Sequence, residues 1–210
     1  MTQTIDEYLR RTRSASEHLF EALASYVRIL DDNEPPIFSF WGDAEEAYRE
    51  WQKEHKEEIE RSLEAQHEYV AEFVAMNAIC GAILQMAFHA FIMCSSNTVV
   101  PAELAGIVKP DTRAVQFCVG RSIRRVPLGL VVYAGRNQHM HMEDATFNTV
   151  TEHVLAELRD NPPERDMSAL VVSDCFVVNQ AEGKSQAKAF VDVLLWRDRE
   201  AYERDLRSVL

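Results

Sequence analysis

A short polar run, residues 134–144 (AGRNQHMHMED), brings together an arginine, side-chain amides, two histidines and two carboxylates. These residue types can do acid–base and phosphate chemistry, because an imidazole titrates near neutral pH and a guanidinium fits the oxygens of a phosphate. The preceding stretch, residues 127–133 (PLGLVVY), is so apolar that we expect it to be buried. We therefore expect the polar run at the edge of the core. The candidate functional residues are Arg136, Asn137, His139 and His141.

The two histidines, followed by Glu143 and Asp144, raise the question of a metal site. Histidines two positions apart point the same way on a strand and bind zinc in that setting, whereas on a helix they lie roughly 160° apart. The segment that follows has helical spacing, and a further ligand would have to come from a distant histidine. A metal-dependent hydrolase that uses His139, His141 and Glu143 is therefore the weaker alternative, and we predict no metal and no cofactor.

A cluster of arginines precedes the polar run. Counted at about 100° per residue over residues 111–126, Arg121, Arg124 and Arg125 fall on one side of a predicted helix and apolar residues on the other. Residues 73–142 contain six basic but only two acidic residues, although the whole chain carries a net charge of −12. The sequence thus predicts a cationic helix face beside the polar run, with these three arginines as candidates for binding substrate.

The spacing of the apolar residues predicts an all-α fold, a helical bundle. Loops that contain proline or polar residues separate the expected helices, which cover residues 4–30, 43–94, 111–126, 143–159 and 185–208. A short strand near residues 169–178 is the one exception, because that apolar run is ambiguous between a strand and a buried helix.

A chain of 210 residues, 47% of them hydrophobic, is long enough to bury one full core. We expect a single helical domain over residues 1–210. Its core is expected at residues 43–160. The N-terminal helix and an aromatic loop (1–42) and a C-terminal helical extension (161–210) would be additions to that core.

The charge and the cysteines limit the partners and the compartment. A net charge of −12 argues against indiscriminate binding to nucleic acid or anionic membranes, which attract excess Lys and Arg. The four cysteines show no CxxC spacing and the N-terminus lacks a secretory pattern, so we expect reduced thiols and a cytoplasmic protein. The apolar run 73–94 has the length of a membrane span, but Asn77, Gln85 and His89 interrupt it, which favours a buried helix or an oligomer contact.

Arg136 and His141 enclose four residues, and the amide Asn137 follows the arginine directly. This spacing resembles the Rx4-6H motif of the HEPN family, whose arginine is commonly followed by Asn, Asp or His. The context is similar as well, with an apolar helix before the motif and an amphipathic helix after it. The resemblance covers roughly residues 43–160. Some HEPN toxins carry a tyrosine two residues after the histidine, where a partner enzyme modifies them; this chain has Glu143 there.

The resemblance implies an endoribonuclease that needs no metal. The ribose 2′-hydroxyl would attack the adjacent phosphate and leave a 2′,3′-cyclic phosphate, with Arg136, Asn137 and His141 as catalytic residues and His139 as an accessory. The family likeness also implies a homodimer that brings two motifs together, with the arginines of residues 121–125 holding the RNA backbone. Such a protein would be a toxin or defence effector, under the control of an antitoxin or another regulatory protein.

The alternative is a non-catalytic module, since some HEPN domains only bind. It would bind RNA, a nucleotide or a protein partner through the same arginines. Residues 43–72 hold eleven acidic against four basic residues, so this stretch could also dock a basic partner. RNA cleavage that depends on Arg136 and His141 would distinguish the enzyme from the binding module.

Overall fold

The structure is a computed structural model that describes residues 4–31, 36, 38, 44–144, 146–161 and 184–210. The α-helices of these residues are α1 (Ile5–Asp31), α2 (Ala44–Glu54), α3 (Lys56–Cys94), α4 (Leu128–Met140), α5 (Thr149–Asp160), α6 (Ala187–Val193) and α7 (Arg199–Val209). Between α3 and α4 lie two short 3-10 helices, Ala102–Leu104 and Arg113–Phe117, and the strands β1 (Ser122–Ile123) and β2 (Val126–Pro127). The prediction of an all-α fold is confirmed. The strand predicted near 169–178 lies outside the described residues.

Helix α3 is the centre of the fold, and its apolar half buries one stripe of residues that recur every three or four positions. The stripe consists of Met76, Cys80, Leu84, Ala87 and Phe91. On the opposite side of the same segment Val74 and Met93 are exposed. The helix therefore has a core face and a side on which apolar side chains are not covered by the described residues, although its sequence is apolar all round.

Residues Glu72–Cys94 of α3 form the one segment of the described residues that is long and apolar enough to cross a membrane. Half of that apolar window is buried inside the protein. The core helix of a globular protein has the same length and composition, so this segment is weak evidence for a membrane span.

Helices α1 and α7 pack on each other, and α1 packs on α3. Arg199 lies 3.5 Å from Glu17 and Arg207 lies 3.1 Å from Asp6, so α1 and α7 run antiparallel. The Tyr8 hydroxyl of α1 donates a hydrogen bond of 2.7 Å to a backbone carbonyl of α3. The helices at the two ends of the chain are thereby joined to the same core as α3.

The predicted helix over residues 111–126 is wrong. The chain forms a 3-10 helix at Arg113–Phe117 and then the hairpin of β1 and β2. Gly120 has a φ of 101°, a value that suits glycine, and it separates the two elements. Arg124 and Arg125 occupy the hairpin turn with φ values of 46° and 73°, because a tight two-residue turn needs left-handed backbone to match the strand twist. The arginines therefore do not share a helix face.

Helix α4 buries the apolar run that precedes the polar one, as predicted. Residues 128–132 are almost fully buried. A Cβ atom on Gly129 would lie 2.3 Å from the Phe117 carbonyl oxygen. The glycine thus lets α4 begin directly against the 3-10 helix, and this close approach fixes the position of the polar run at the other end of α4.

Candidate functional site

The last turn of α4 carries the polar run and lies between α3 and the segment 184–186. Helix α4 ends at Met140, and His141 is the residue that follows it. Gln138 is buried and holds the segment with two hydrogen bonds. Its Nε2 donates to the Lys184 carbonyl at 2.8 Å, and its Oε1 accepts from the Gln186 amide at 2.7 Å. The polar run therefore lies where the core meets the C-terminal part of the chain.

Arg136 is half-buried and faces α3. Its Nε donates to Gln85 Oε1 at 2.8 Å, its Nη1 donates to Asn137 Oδ1 at 3.1 Å, and the guanidinium carbon lies 4.9 Å from the centre of the Phe88 ring. All three neighbours are neutral, and no ion pair among the described residues includes Arg136. A partly buried guanidinium that no carboxylate neutralises retains its attraction for an anion.

Asn137 orients the arginine. Its side chain is buried, with 8% of the residue exposed, and its Oδ1 accepts the hydrogen bond from Arg136. Among the described residues, its side chain makes no hydrogen bond to either histidine of the run. The amide therefore acts on the guanidinium and not on an imidazole.

His139 lies one turn beyond Arg136 on the same side of α4. Its Nδ1 and Ser185 Oγ are 2.7 Å apart and share a hydrogen bond, and its ring packs on Gly81 of α3. Burial lowers the pKa of His139 below its usual value, because the imidazolium form would lose hydration. His139 is therefore mainly neutral at neutral pH.

His141 lies outside the helix and is exposed. Its Nδ1 is 2.9 Å from Asp144 Oδ2, within a turn that delays the start of the next helix, predicted at residue 143, until Thr149. A helical residue five positions after Arg136 would lie about 7.5 Å along the axis and roughly 140° around it. Arg136 faces α3 and His141 is exposed beside Asp144, so the two members of the predicted catalytic pair have different surroundings.

The three arginines predicted to bind substrate each contact other parts of the fold. Arg121 donates from Nε and Nη2 to the Asp205 carboxylate at 3.1 and 3.0 Å. Arg124 donates to a backbone carbonyl of α5. Arg125 Nε lies 3.9 Å from Glu157 Oε2, and 75% of the arginine side chain is exposed. The three do not form the shared cationic face that the sequence predicted, although a role in binding substrate stays a prediction.

The HxHxE run does not assemble a ligand set for a metal. His139 is bonded to Ser185 and His141 to Asp144, so the two imidazoles lie in different surroundings. Within the described ranges, no group of three or more His, Cys, Asp or Glu residues is arranged to hold a metal ion. The metal-dependent alternative therefore lacks its predicted ligands in this fold.

Three residues of the site were not predicted from the sequence. Gln85 lies 51 positions from Arg136 in the chain, and Ser185 lies 46 positions from His139. Gly81 lies within α3, which continues through it, and the glycine makes room for His139. A glycine within an otherwise strong helix was the one local sign of a close approach.

A Gly81→Ala substitution is expected to displace the His139 ring. The new Cβ would lie 2.2–2.5 Å from three ring atoms, although non-bonded carbon atoms pack at about 3.5 Å. The ring must rotate and lose its bond to Ser185, so its 15N NMR signals should shift and the pKa of His139 should rise toward its usual value. Gly106→Ala is the matched control, because a Cβ there would have no atom within 4 Å. Unchanged His139 signals in Gly81→Ala would contradict this packing.

The chain matches no protein-family model, no curated protein and no solved structure. The functional assignment therefore depends on the chemistry of the polar run. Its three basic groups are an arginine with neutral neighbours, a half-buried neutral histidine and an exposed histidine bonded to a carboxylate.

Proposed function

We propose that this protein is a metal-independent endoribonuclease of the HEPN type. The observation that carries the proposal is the environment of Arg136, a half-buried guanidinium that neutral groups hold in place. Its Nη2 takes part in no hydrogen bond with the described residues. A guanidinium with an unused N–H donor can donate hydrogen bonds to phosphate oxygens. Imidazoles within two helical turns of it can transfer protons at a phosphodiester.

Arg121 illustrates what distinguishes Arg136. The Asp205 carboxylate accepts two hydrogen bonds from Arg121, so the charge of that arginine is neutralised inside the fold. Arg136 has an amide on each side and a phenyl ring near its face, and these groups orient the cation without neutralising it. An incoming phosphate therefore meets no competing carboxylate in the described surroundings of Arg136.

The reaction follows from these groups. The ribose 2′-hydroxyl attacks the adjacent phosphorus, the bond from phosphorus to the 5′-oxygen breaks, and the products are a 2′,3′-cyclic phosphate and a 5′-hydroxyl. Arg136 stabilises the negative charge that grows on the phosphorane oxygens, while Asn137 keeps the guanidinium oriented. The histidines of the polar run transfer the protons, since an imidazole can both accept and donate one.

Two copies of the chain would complete such a site. Arg136 faces α3 and His141 is exposed beyond the end of α4, so in this proposal the histidine of a second copy meets the arginine at a shared phosphate. The side of α3 on which Val74 and Met93 are exposed is the candidate contact surface. The nuclease would act in the cytoplasm as a toxin or defence effector, restrained by an antitoxin or another regulatory protein.

A non-catalytic RNA-binding module is the second candidate. The different surroundings of Arg136 and His141 within one copy favour it, because anion binding requires only the arginine. Tight RNA binding without turnover, for a protein that is monomeric in solution, would support this candidate against the enzyme.

Incubation of the purified protein with RNA in excess EDTA tests the proposal. We expect fragments that end in 2′,3′-cyclic phosphate and begin with a 5′-hydroxyl, together with a dimer by light scattering. Cleavage that requires a divalent ion, or that leaves 3′-hydroxyl ends, would contradict the proposed reaction.

A further inference from the structure

The imidazole of His139 is oriented by two elements outside its own helix, and the first is α3. A Cβ built on Gly81 would lie 2.2, 2.3 and 2.5 Å from Nε2, Cδ2 and Cε1 of the ring. Three nearly equal distances place the face of the ring, and not its tip, over Gly81. Because the lone pair or proton of Nε2 lies in the ring plane, it is directed along the surface of α3 and not into it.

The second element is the segment before α6, where Ser185 fixes the other ring nitrogen. Ser185 Oγ lies 2.7 Å from Nδ1 and also accepts a hydrogen bond of 3.2 Å from the Ala187 amide. The Gln138 side chain is hydrogen-bonded to the residues on both sides of Ser185. These two bonds keep the Ser185 hydroxyl next to the His139 ring. In the tautomer that donates Nδ1–H to Ser185, Nε2 carries a lone pair and has no hydrogen-bond partner among the described residues.

His139 and Arg136 lie on the same face of α4. Three positions apart, they are separated by roughly 60° around the helix and about 4.5 Å along it. They contact Gly81 and Gln85, which are one turn apart on α3. His141 follows the end of α4, is exposed and is bonded to Asp144. Of the two histidines, His139 is therefore the one placed beside the phosphate-binding arginine of its own chain.

We propose that His139 is the general base of the ribonuclease and that Ser185 is its positioning residue. This inference rests on the proposed function and assigns the proton transfer within it. Nε2 of His139 takes the proton of the 2′-hydroxyl while the 2′-oxygen bonds to phosphorus. The 5′-oxygen leaves with a proton from the imidazolium form of His141, which a second copy supplies. Exchange of one proton with water then returns both histidines to their starting states.

The surroundings of His139 keep the ring neutral before reaction. Between Phe73 and Cys94, α3 carries no Asp, Glu, Lys or Arg, and its titratable groups there are two cysteines and the exposed His89. On its own helix the charged neighbour is Arg136, and on the C-terminal segment the charged groups are Lys184, Lys188 and Asp192. The Asp192 carboxylate lies 2.6 Å from the Lys188 ammonium. Burial in these surroundings lowers the pKa of His139, so the base form is available at neutral pH.

The test compares rates of RNA cleavage across the pH range in which histidines titrate. A His139→Ala variant should lose about 10²- to 10⁴-fold in rate and should lack the rise of rate with pH that deprotonation of the base produces. Ser185→Ala should lose about tenfold and shift that rise to another pH, whereas Ser185→Thr, which keeps the hydroxyl, should restore the wild-type profile. His18→Ala is the matched control, because His18 is exposed on α1, where its Nδ1 lies 3.4 Å from Glu21.

Circular dichroism and thermal unfolding establish that each variant is folded, and His139→Gln serves as a second variant if His139→Ala does not fold. Wild-type rates in a folded His139 variant, with His141→Ala inactive, would overturn this assignment and leave the ribonuclease proposal intact. A wild-type protein that cleaves no RNA would overturn both. An unchanged pH profile in Ser185→Ala would contradict the role of Ser185 as the residue that positions His139.

Discussion

An Arg136→Ala variant is expected to cleave RNA about 10³-fold more slowly than the wild-type protein, or more slowly still. The guanidinium is the cation that would balance the charge growing on the phosphorane, and its neighbours Gln85, Asn137 and Phe88 are all neutral. Arg136→Lys should recover only part of the rate, because one ammonium cannot hold both amides and a phosphate at once. Initial rates on a defined RNA in EDTA measure both effects.

The matched control for this prediction is Arg13→Ala. Arg13 is exposed on α1 and lies 2.8 Å from Glu17, so its removal should change the cleavage rate by less than about tenfold. The melting temperature of Arg136→Ala should remain within a few degrees of wild type, since Arg136 has no ion pair with the described residues to lose. Equal cleavage by Arg136→Ala and wild type would contradict a catalytic role for Arg136. The proposed function would then lose the observation on which it depends.

A Gly129→Ala substitution is expected to lower the free energy of unfolding by about 2–3 kcal/mol. Alanine favours a helix over glycine by about 1 kcal/mol, but the new Cβ would lie 2.3 Å from the Phe117 carbonyl oxygen and 2.9 Å from a ring atom of Phe91. Neither the backbone of the 3-10 helix nor the buried ring can move without disturbing the core. The melting temperature should fall by about 5–10 °C, as measured by calorimetry or circular dichroism.

Gly106→Ala provides the comparison for the same chemical change. A Cβ at position 106 meets no atom within 4 Å, so the free energy of unfolding should stay within about 0.5 kcal/mol of wild type. If both variants were equally stable, α4 would not approach the 3-10 helix as closely as described. The polar run at the other end of α4 would then lose the contact that fixes its position.

The helices themselves were predictable because burial leaves a periodic mark on the sequence. The stripe of α3 that includes Cys80 and Phe91 repeats every three or four positions, and local spacing alone indicates a helix there. The same reasoning failed over residues 111–126, where arginines and valines happen to alternate with helical spacing. Gly120 adopts a φ of 101°, and Arg124 and Arg125 turn the chain in a hairpin. The spacing of apolar residues indicates which side chains are buried, but it does not indicate where the backbone turns.

The sequence by itself determined which run has the residue types for the proposed chemistry, from Arg136 to His141, because no other stretch combines a guanidinium with two imidazoles so closely. The helix that ends at Met140 places His139, three positions further along, on the same face as Arg136. Only the tertiary structure decided that Gln85 and Ser185, 51 and 46 positions away, orient the two side chains. The physical reason is that residue types and their spacing fix what each group can do. Packing between segments that are distant in the chain decides which partner each charged group has. It thereby decides whether the charge is neutralised, oriented or left without an ion pair.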